Sequence, residues 1–278
     1  MVTVIAASLM ALVIVGAAVP VAATTGGSVA TTTPRYVALG DSVAAGLGLP
    51  AAPGSDPVCG VSRQAYGVLV AASLRMPYQN AACSGATAGD LVTEQHLAGT
   101  NRDIEPQLDQ AFAAGKPALI SITAGANDAS WAYYINKCLQ KTCGTVSDKF
   151  SSAALLGALR AKLSYAMRDI SNRSNGKPPR VVLTGYYRPF SAACVQQYSG
   201  VTAAELAWIN KQTAALNKVL IDISDDYSSF VRFAPVSFAG HELCSATPWI
   251  QGLRDKAPLH PTYSGQRIIS KAVLLQAK

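Results

Sequence analysis

The stretch YVALGDSVAAGLG, residues 36–48, stops a short apolar run at Gly40-Asp41-Ser42 and follows it with small residues and further glycines. A P-loop would need Gly-x4-Gly-Lys-Ser/Thr, and no lysine lies near Ser42; Gly40, Gly46 and Gly48 also miss the dinucleotide spacing. Nucleotide binding is therefore disfavoured. Taken alone the triplet reads as a helix cap. The alternative is a nucleophile, and a serine hydroxyl then needs a base and a set of N–H donors for the oxyanion it creates. Later in the chain, Gly85 offers a backbone N–H with no Cβ in the way, Asn127 a side-chain amide and His260 an imidazole in DKAPLHPTYSGQ. Together the four residues complete an acyl-transfer site.

Positioning them requires elements that converge. Apolar runs of strand length occur at 36–39, 118–123, 180–187 and 230–236, with a weaker one at 78–82. Helical periodicity fills the intervals at 62–74, 151–172 and 202–224, where Thr202 and Glu205 form a capping-box pair, and a terminal helix is expected from Thr262 to Leu275. Strand–helix alternation with long crossovers points to an α/β sandwich around a parallel sheet. In such sheets chemistry collects at the carboxyl ends of the strands. Gly40-Asp41-Ser42, Cys83-Ser84-Gly85 and Gly125-Ala126-Asn127-Asp128 follow the first, second and third strands, and so share one edge.

The ordered set resembles the SGNH hydrolases, the GDSL esterase/lipase family, which carries Gly-Asp-Ser near the N-terminus, a glycine in a second block, Gly-x-Asn-Asp in a third and a late His-Pro. Here those are Gly40-Asp41-Ser42, Gly85 in CSGAT, Gly125-Ala126-Asn127-Asp128 and His260-Pro261. The six cysteines and the phrase GHELCS are similar to the secreted actinobacterial esterase/lipase branch. The resemblance implies a flavodoxin-like three-layer α/β/α sandwich with a mostly parallel five-stranded sheet. It also implies hydrolysis of small-molecule or lipid carboxylic esters without metal or cofactor. In that reading Ser42 attacks, His260 moves the proton, and the N–H groups of Ser42 and Gly85 and the Asn127 amide hold the oxyanion. One departure stands out. The family's acid lies three residues before the histidine, where this chain has Ala257, and the only nearby acid is Asp255. The preferred reading is a Ser–His dyad with the Ala257 carbonyl accepting the imidazole N–H; Asp255 is the alternative.

Around these residues the bland readings are structural. Asp41 and Asp128 are expected to hold turns through backbone N–H groups. Ser84 reads as a turn residue, His96 as solvated, and His241 and Glu242 as loop packing. Trp131, Tyr133 and Tyr134 either wall an acyl pocket or simply pack.

The chain has 278 residues, 50% of them hydrophobic and 14% charged, which suits one large globular domain. The net charge of +7 is spread without a run of four cations, which argues against nucleic-acid binding; contact with an anionic envelope or membrane surface is the weaker inference. Residues 1–24 read as a cleaved signal peptide, or alternatively a membrane anchor, because no Lys or Arg precedes Arg35; residues 25–34 form a linker and 35–278 the domain. A secreted monomer is expected. Six cysteines behind a signal suggest three disulfides, and pairing in sequence order gives Cys59–Cys83, Cys138–Cys143 and Cys194–Cys244. No Cys-x2-Cys pair supports zinc. An acetylesterase acting on acetylated polysaccharide, and an inactive surface-binding module on the same scaffold, are the competing functions.

Overall fold

A computed structural model describes residues 33–278 apart from Lys141 and Ser199. The leader, and the linker up to residue 32, lie outside the described residues. In chain order the elements are β1 (Tyr36–Gly40), α1 (Ser42–Ala45), α2 (Tyr66–Leu74), β2 (Tyr78–Asn80), β3 (Gln95–His96), β4 (Asp103–Ile104), α3 (Gln107–Phe112), β5 (Leu119–Thr123), α4 (Trp131–Leu139), α5 (Val146–Arg173), β6 (Arg180–Thr184), α6 (Cys194–Gln197), α7 (Ala203–Asp226), β7 (Val231–Ala234) and α8 (Tyr263–Gln276).

Five strands form one sheet in the order β2-β1-β5-β6-β7, every pair parallel; β3 and β4 make a separate two-stranded ribbon. All of β1 and β5 is buried, because helices cover both faces of a parallel sheet and each strand becomes a continuous apolar run. α2 packs on α8, and α5 on α7, giving the two outer layers. The few polar groups in the strands are paired internally: Ser121 bonds Tyr36 at 2.6 Å, and Thr123 bonds Tyr66 at 2.9 Å and Thr184 at 2.5 Å.

Counted among the sheet strands alone, the order is 2-1-3-4-5, which reverses direction between β1 and β5. Ligands of open α/β sheets bind at such a switch point. Ser42 follows β1 and Asn127 follows β5, so topology alone brings them side by side.

The expected elements are all present, with shifted ends. The run at 180–187 stops pairing as a strand at Thr184, and the Tyr186 backbone is taken instead by the Asn217 side chain, which accepts from its N–H and donates to its carbonyl at 2.8 Å each. α5 begins five residues before the expected 151 because a capping box of Thr145 and Asp148 starts it. α7 carries the expected Thr202–Glu205 box. Residues 131–138, read as a loop, are helical; α4 starts after Ser130, which is held at φ 51° with no side-chain cap. Disulfides join Cys59 to Cys83, Cys138 to Cys143 and Cys194 to Cys244.

Candidate active site

The first turn is built by steric necessity. Gly40 ends β1 at φ 124°, and a Cβ there would lie 1.9 Å from the Thr123 carbonyl oxygen. Only glycine lets β1 and β5 stay paired while the chain turns. Asp41 then caps α1, its Oδ1 accepting from the Val43 N–H at 2.9 Å and its Oδ2 from the Tyr186 hydroxyl at 2.5 Å. Burial pushes the Asp41 carboxyl up to about 7, against the lowering effect of the Tyr186 hydroxyl. Ser42 is thus the first residue of a short helix, where backbone N–H groups have no intrahelical acceptor.

The second turn is tied to the first. The Cys83 N–H donates to the Gly40 carbonyl at 3.0 Å, and the Cys59–Cys83 bridge fixes the turn to the loop after α1. Two residues on, Gly85 takes φ 82°. Ser84 donates its hydroxyl to the Cys59 carbonyl at 2.7 Å, a turn role as expected from its position. Among the described residues the Gly85 N–H has no acceptor.

In the third turn Gly125, at φ 132°, lies against Leu159 and Leu216. Asn127 donates one amide hydrogen to the Ala86 carbonyl at 2.7 Å, which locks this turn to the second and leaves its other amide hydrogen available. Asp128 accepts from the Ala88 N–H at 2.7 Å and from Lys162 at 2.8 Å. It acts as a strut between turns.

The histidine arrives from the far end of the chain. His260 Nε2 lies 2.7 Å from Ser42 Oγ. Its Nδ1 faces the Pro258 carbonyl at 3.0 Å. Pro258 thus stands nearest the ring, while the Ala257 carbonyl, the acceptor expected, takes the His260 backbone N–H at 3.2 Å and also acts on the imidazole. The reason is Leu259, held at φ 68°, which turns the carbonyl before it toward the ring. A left-handed leucine is a costly conformation, and it is held by the Tyr187 hydroxyl, which donates to the Leu259 carbonyl at 2.7 Å. Asp255, the alternative acid, accepts from the Gly252 N–H at 2.6 Å and makes no bond to the imidazole. Burial lowers the His260 pKa, opposed by the Pro258 and Ala257 carbonyls.

Ser42, Asn127 and His260 open on a pocket of about 90 Å³ walled by Trp131, Tyr186, Tyr187 and Leu259. Of the three aromatic residues singled out in α4, only Trp131 lines it; Tyr134 is buried against Trp208, and Tyr133 faces solvent. His96 is exposed and paired with Asp103, and His241 stacks on Trp249 at 3.7 Å.

Sequence reasoning missed a set of buried amides that hold this arrangement. Gln107 accepts from the Gly40 N–H at 2.6 Å and donates to the Gly40 carbonyl at 2.9 Å. Gln266 accepts from the Tyr66 N–H and donates to the Val43 carbonyl, and Gln251 donates to the carbonyls of Leu47 and Pro261. Each mimics a backbone partner from a remote part of the chain.

Comparison with known proteins follows the same lines. Residues 38–268 match the model of the GDSL-like lipase/acylhydrolase family. A lipase of Streptomyces rimosus is 31% identical over 259 residues, spanning 89% of this chain and 90% of that one. Among solved structures, the extracellular lipase from Streptomyces rimosus is similar with a TM-score of 0.65 at 28% identity, over 88% of this chain and all (100%) of that one. Phospholipase A1 from Streptomyces albidoflavus NA297 gives a TM-score of 0.67 at 25% identity over the same shares, 88% and 100%.

Proposed function

Because this chain belongs to the GDSL-like lipase/acylhydrolase family and is a carboxylic ester hydrolase, we propose that it works through an acyl-enzyme on Ser42 with His260 as its only side-chain base. The observation that carries this reading is the 2.7 Å approach of His260 Nε2 to Ser42 Oγ. Nε2 takes the serine proton as Oγ attacks the ester carbonyl. The carbonyl oxygen, now negative, is received by the N–H groups of Ser42 and Gly85 and by the Asn127 amide. As the tetrahedral intermediate collapses, His260 returns the proton to the departing alcohol. Water then repeats the sequence on the acyl group, and the acid leaves.

In this dyad the Pro258 carbonyl accepts from Nδ1–H, which fixes the tautomer with Nε2 free to act as base. A neutral carbonyl steadies the imidazolium less than a carboxylate does, but it performs the orienting half of a triad acid's work. We take the enzyme to be exported as a monomer behind the leader at residues 1–24. The three disulfides suit an oxidising compartment.

The test is a panel of p-nitrophenyl esters from acetate to palmitate run beside acetylated xylan, with fluorophosphonate labelling of the folded protein. Turnover and labelling that both vanish in Ser42→Ala support the reading. Unchanged turnover in that variant overturns it, and a folded protein that neither labels nor turns over would be a binding module.

A further inference from the structure

The pocket that opens on Ser42 is small, and its walls are fastened in place. Its volume is about 90 Å³. An apolar cavity of about 150 Å³ takes benzene, so by proportion this one holds an acyl group of about four carbons. Each large wall residue is tied at its polar end. The Tyr186 hydroxyl donates to Asp41 Oδ2 at 2.5 Å, and the Tyr187 hydroxyl to the Leu259 carbonyl at 2.7 Å. Phe238 stacks on Tyr187 with centroids 4.2 Å apart. Trp131 meets Tyr187 at 89°, 6.4 Å between centroids, and donates from Nε1 to Thr213 Oγ1 at 3.1 Å. The Thr213 hydroxyl in turn donates to the Ile209 carbonyl at 3.1 Å, which leaves its oxygen oriented to accept the indole. Retreat of any of these walls would break a hydrogen bond.

Beyond the indole N–H there is open space. A second cavity, of about 380 Å³, is lined in part by Tyr186, Thr213, Asn217 and Phe238. Tyr186 is a wall of both cavities. Thr213 lines the second cavity and holds Trp131 of the first; Phe238 lines the second and stacks on Tyr187 of the first. Trp131, Tyr186 and Tyr187 therefore stand as a partition between the two. Tyr186 is bound to Asp41 and Tyr187 to the loop of His260. Trp131 alone can be cut back without releasing either.

An enclosed pocket suits the acyl arm of an ester better than its alcohol. The alcohol departs and water takes its place before the acid is released. The alcohol side must therefore stay open to solvent, whereas the acyl group remains through both half-reactions.

We propose that Trp131 is the stop of the acyl pocket and makes the enzyme selective for esters of short acids, about two to four carbons long. This deepens the serine-esterase reading and rests on it. From acetyl to butyryl each methylene is buried in the pocket and should raise kcat/KM by up to about fourfold. Beyond butyryl the added methylenes meet the indole or stay in water, and kcat/KM should level or fall.

The experiment measures kcat/KM of the full chain on two dissolved ester series. One is p-nitrophenyl acetate, butyrate, hexanoate and octanoate; the other is methyl, butyl and hexyl butyrate. Hexanoate should be no better than butyrate in the first series, and the second should show no such break. In Trp131→Ala the vacated space runs on toward Thr213, and the hexanoate-to-butyrate ratio should rise about tenfold or more. Trp131→Phe keeps a ring but loses the Thr213 bond, and its ratio should rise less; it carries the test should the alanine variant fail to fold. Three results overturn the proposal: a kcat/KM that keeps rising through hexanoate in the parent, a break in the alcohol series instead, or a ratio unchanged in a folded Trp131 variant. Ser42→Ala separates this from the mechanism. Turnover that survives in that variant removes the nucleophile, while a break after butyrate in the parent still marks a short acyl pocket.

Discussion

Ser42 and His260 are 218 residues apart in sequence, and Oγ and Nε2 meet at 2.7 Å. What fixes the imidazole on its other side is a main-chain carbonyl two residues upstream, at 3.0 Å. The imidazole is thus oriented by the backbone of its own loop. That loop is held by groups from elsewhere: the Tyr187 hydroxyl on the Leu259 carbonyl, and the Gln251 N–H on the His260 carbonyl at 2.8 Å.

The carboxylate of Asp255 is occupied at the Gly252 N–H, 2.6 Å away. Asp255→Asn keeps an acceptor there, so turnover of p-nitrophenyl butyrate at pH 8 should change by less than about threefold, the span of an ordinary surface change. Loss of the acid of a working triad costs on the order of 10⁴ in turnover. A fall of a thousandfold or more would make Asp255 the acid and displace Pro258.

The proposed dyad also sets a pH profile. His260 must be neutral to accept the serine proton, and burial holds its pKa below the ordinary histidine value. The rate should climb with pH through one ionisation centred below about 6.5 and then level off. Initial rates on a soluble ester from pH 4.5 to 8.5 check this. A profile flat across that range would remove His260 as the base.

Stability should respond to the two buried groups in opposite ways. Asp41 has its pKa raised to about 7 in the fold, against about 3.9 when unfolded. Its contribution is full below about 3.9 and is lost as pH rises toward 7. His260 is lowered, so its contribution is present above about 6.5 and is lost as pH falls through its folded value. Asp41→Asn retains an acceptor for the Val43 N–H but cannot ionise. Its melting temperature should therefore lack the decline that the parent shows between pH 4 and 7. Parallel melting curves for the two proteins across that window would argue that Asp41 is already ionised at pH 4.

The strand ends and the residues following them were legible because a parallel sheet needs continuous apolar runs, and chemistry gathers where they stop. Ser42, Gly85 and Asn127 sit at such stops, and His260 precedes a capped helix. The partner of Nδ1 was not legible, since it depends on Leu259 adopting φ 68°, which a distant tyrosine hydroxyl helps to hold. α4 escaped because its aromatic, uncapped start carries no helix signal, whereas the Thr145–Asp148 box of α5 was readable and lay outside the periodic window. Gln107, Gln251 and Gln266 look like ordinary polar helix or loop residues. Their roles arise only when chain segments 67, 204 and 223 residues apart come together.

Gln107 offers the sharpest test of that hidden support. It is 1% exposed and grips both backbone groups of Gly40, two residues before Ser42. In Gln107→Leu the Gly40 carbonyl keeps the Cys83 N–H at 3.0 Å, but the Gly40 N–H loses its acceptor in the interior. An unpaired buried N–H costs about 1–3 kcal/mol, and the turn can relieve it only by moving. Movement of about 1 Å at a reacting group can cost a hundredfold in rate. We therefore expect kcat to fall between about tenfold and a hundredfold with KM nearly unchanged. Gln107→Glu discriminates further. Ionised, it sets a carboxylate against the Gly40 carbonyl; protonated, its O–H restores the lost donor, and burial raises its pKa into an accessible range. The ratio of its rate to the parent's should accordingly rise as pH falls from 8 to 6. A leucine variant that melts lower but turns over at the parent rate would reduce Gln107 to a stabilising residue with no part in placing Ser42.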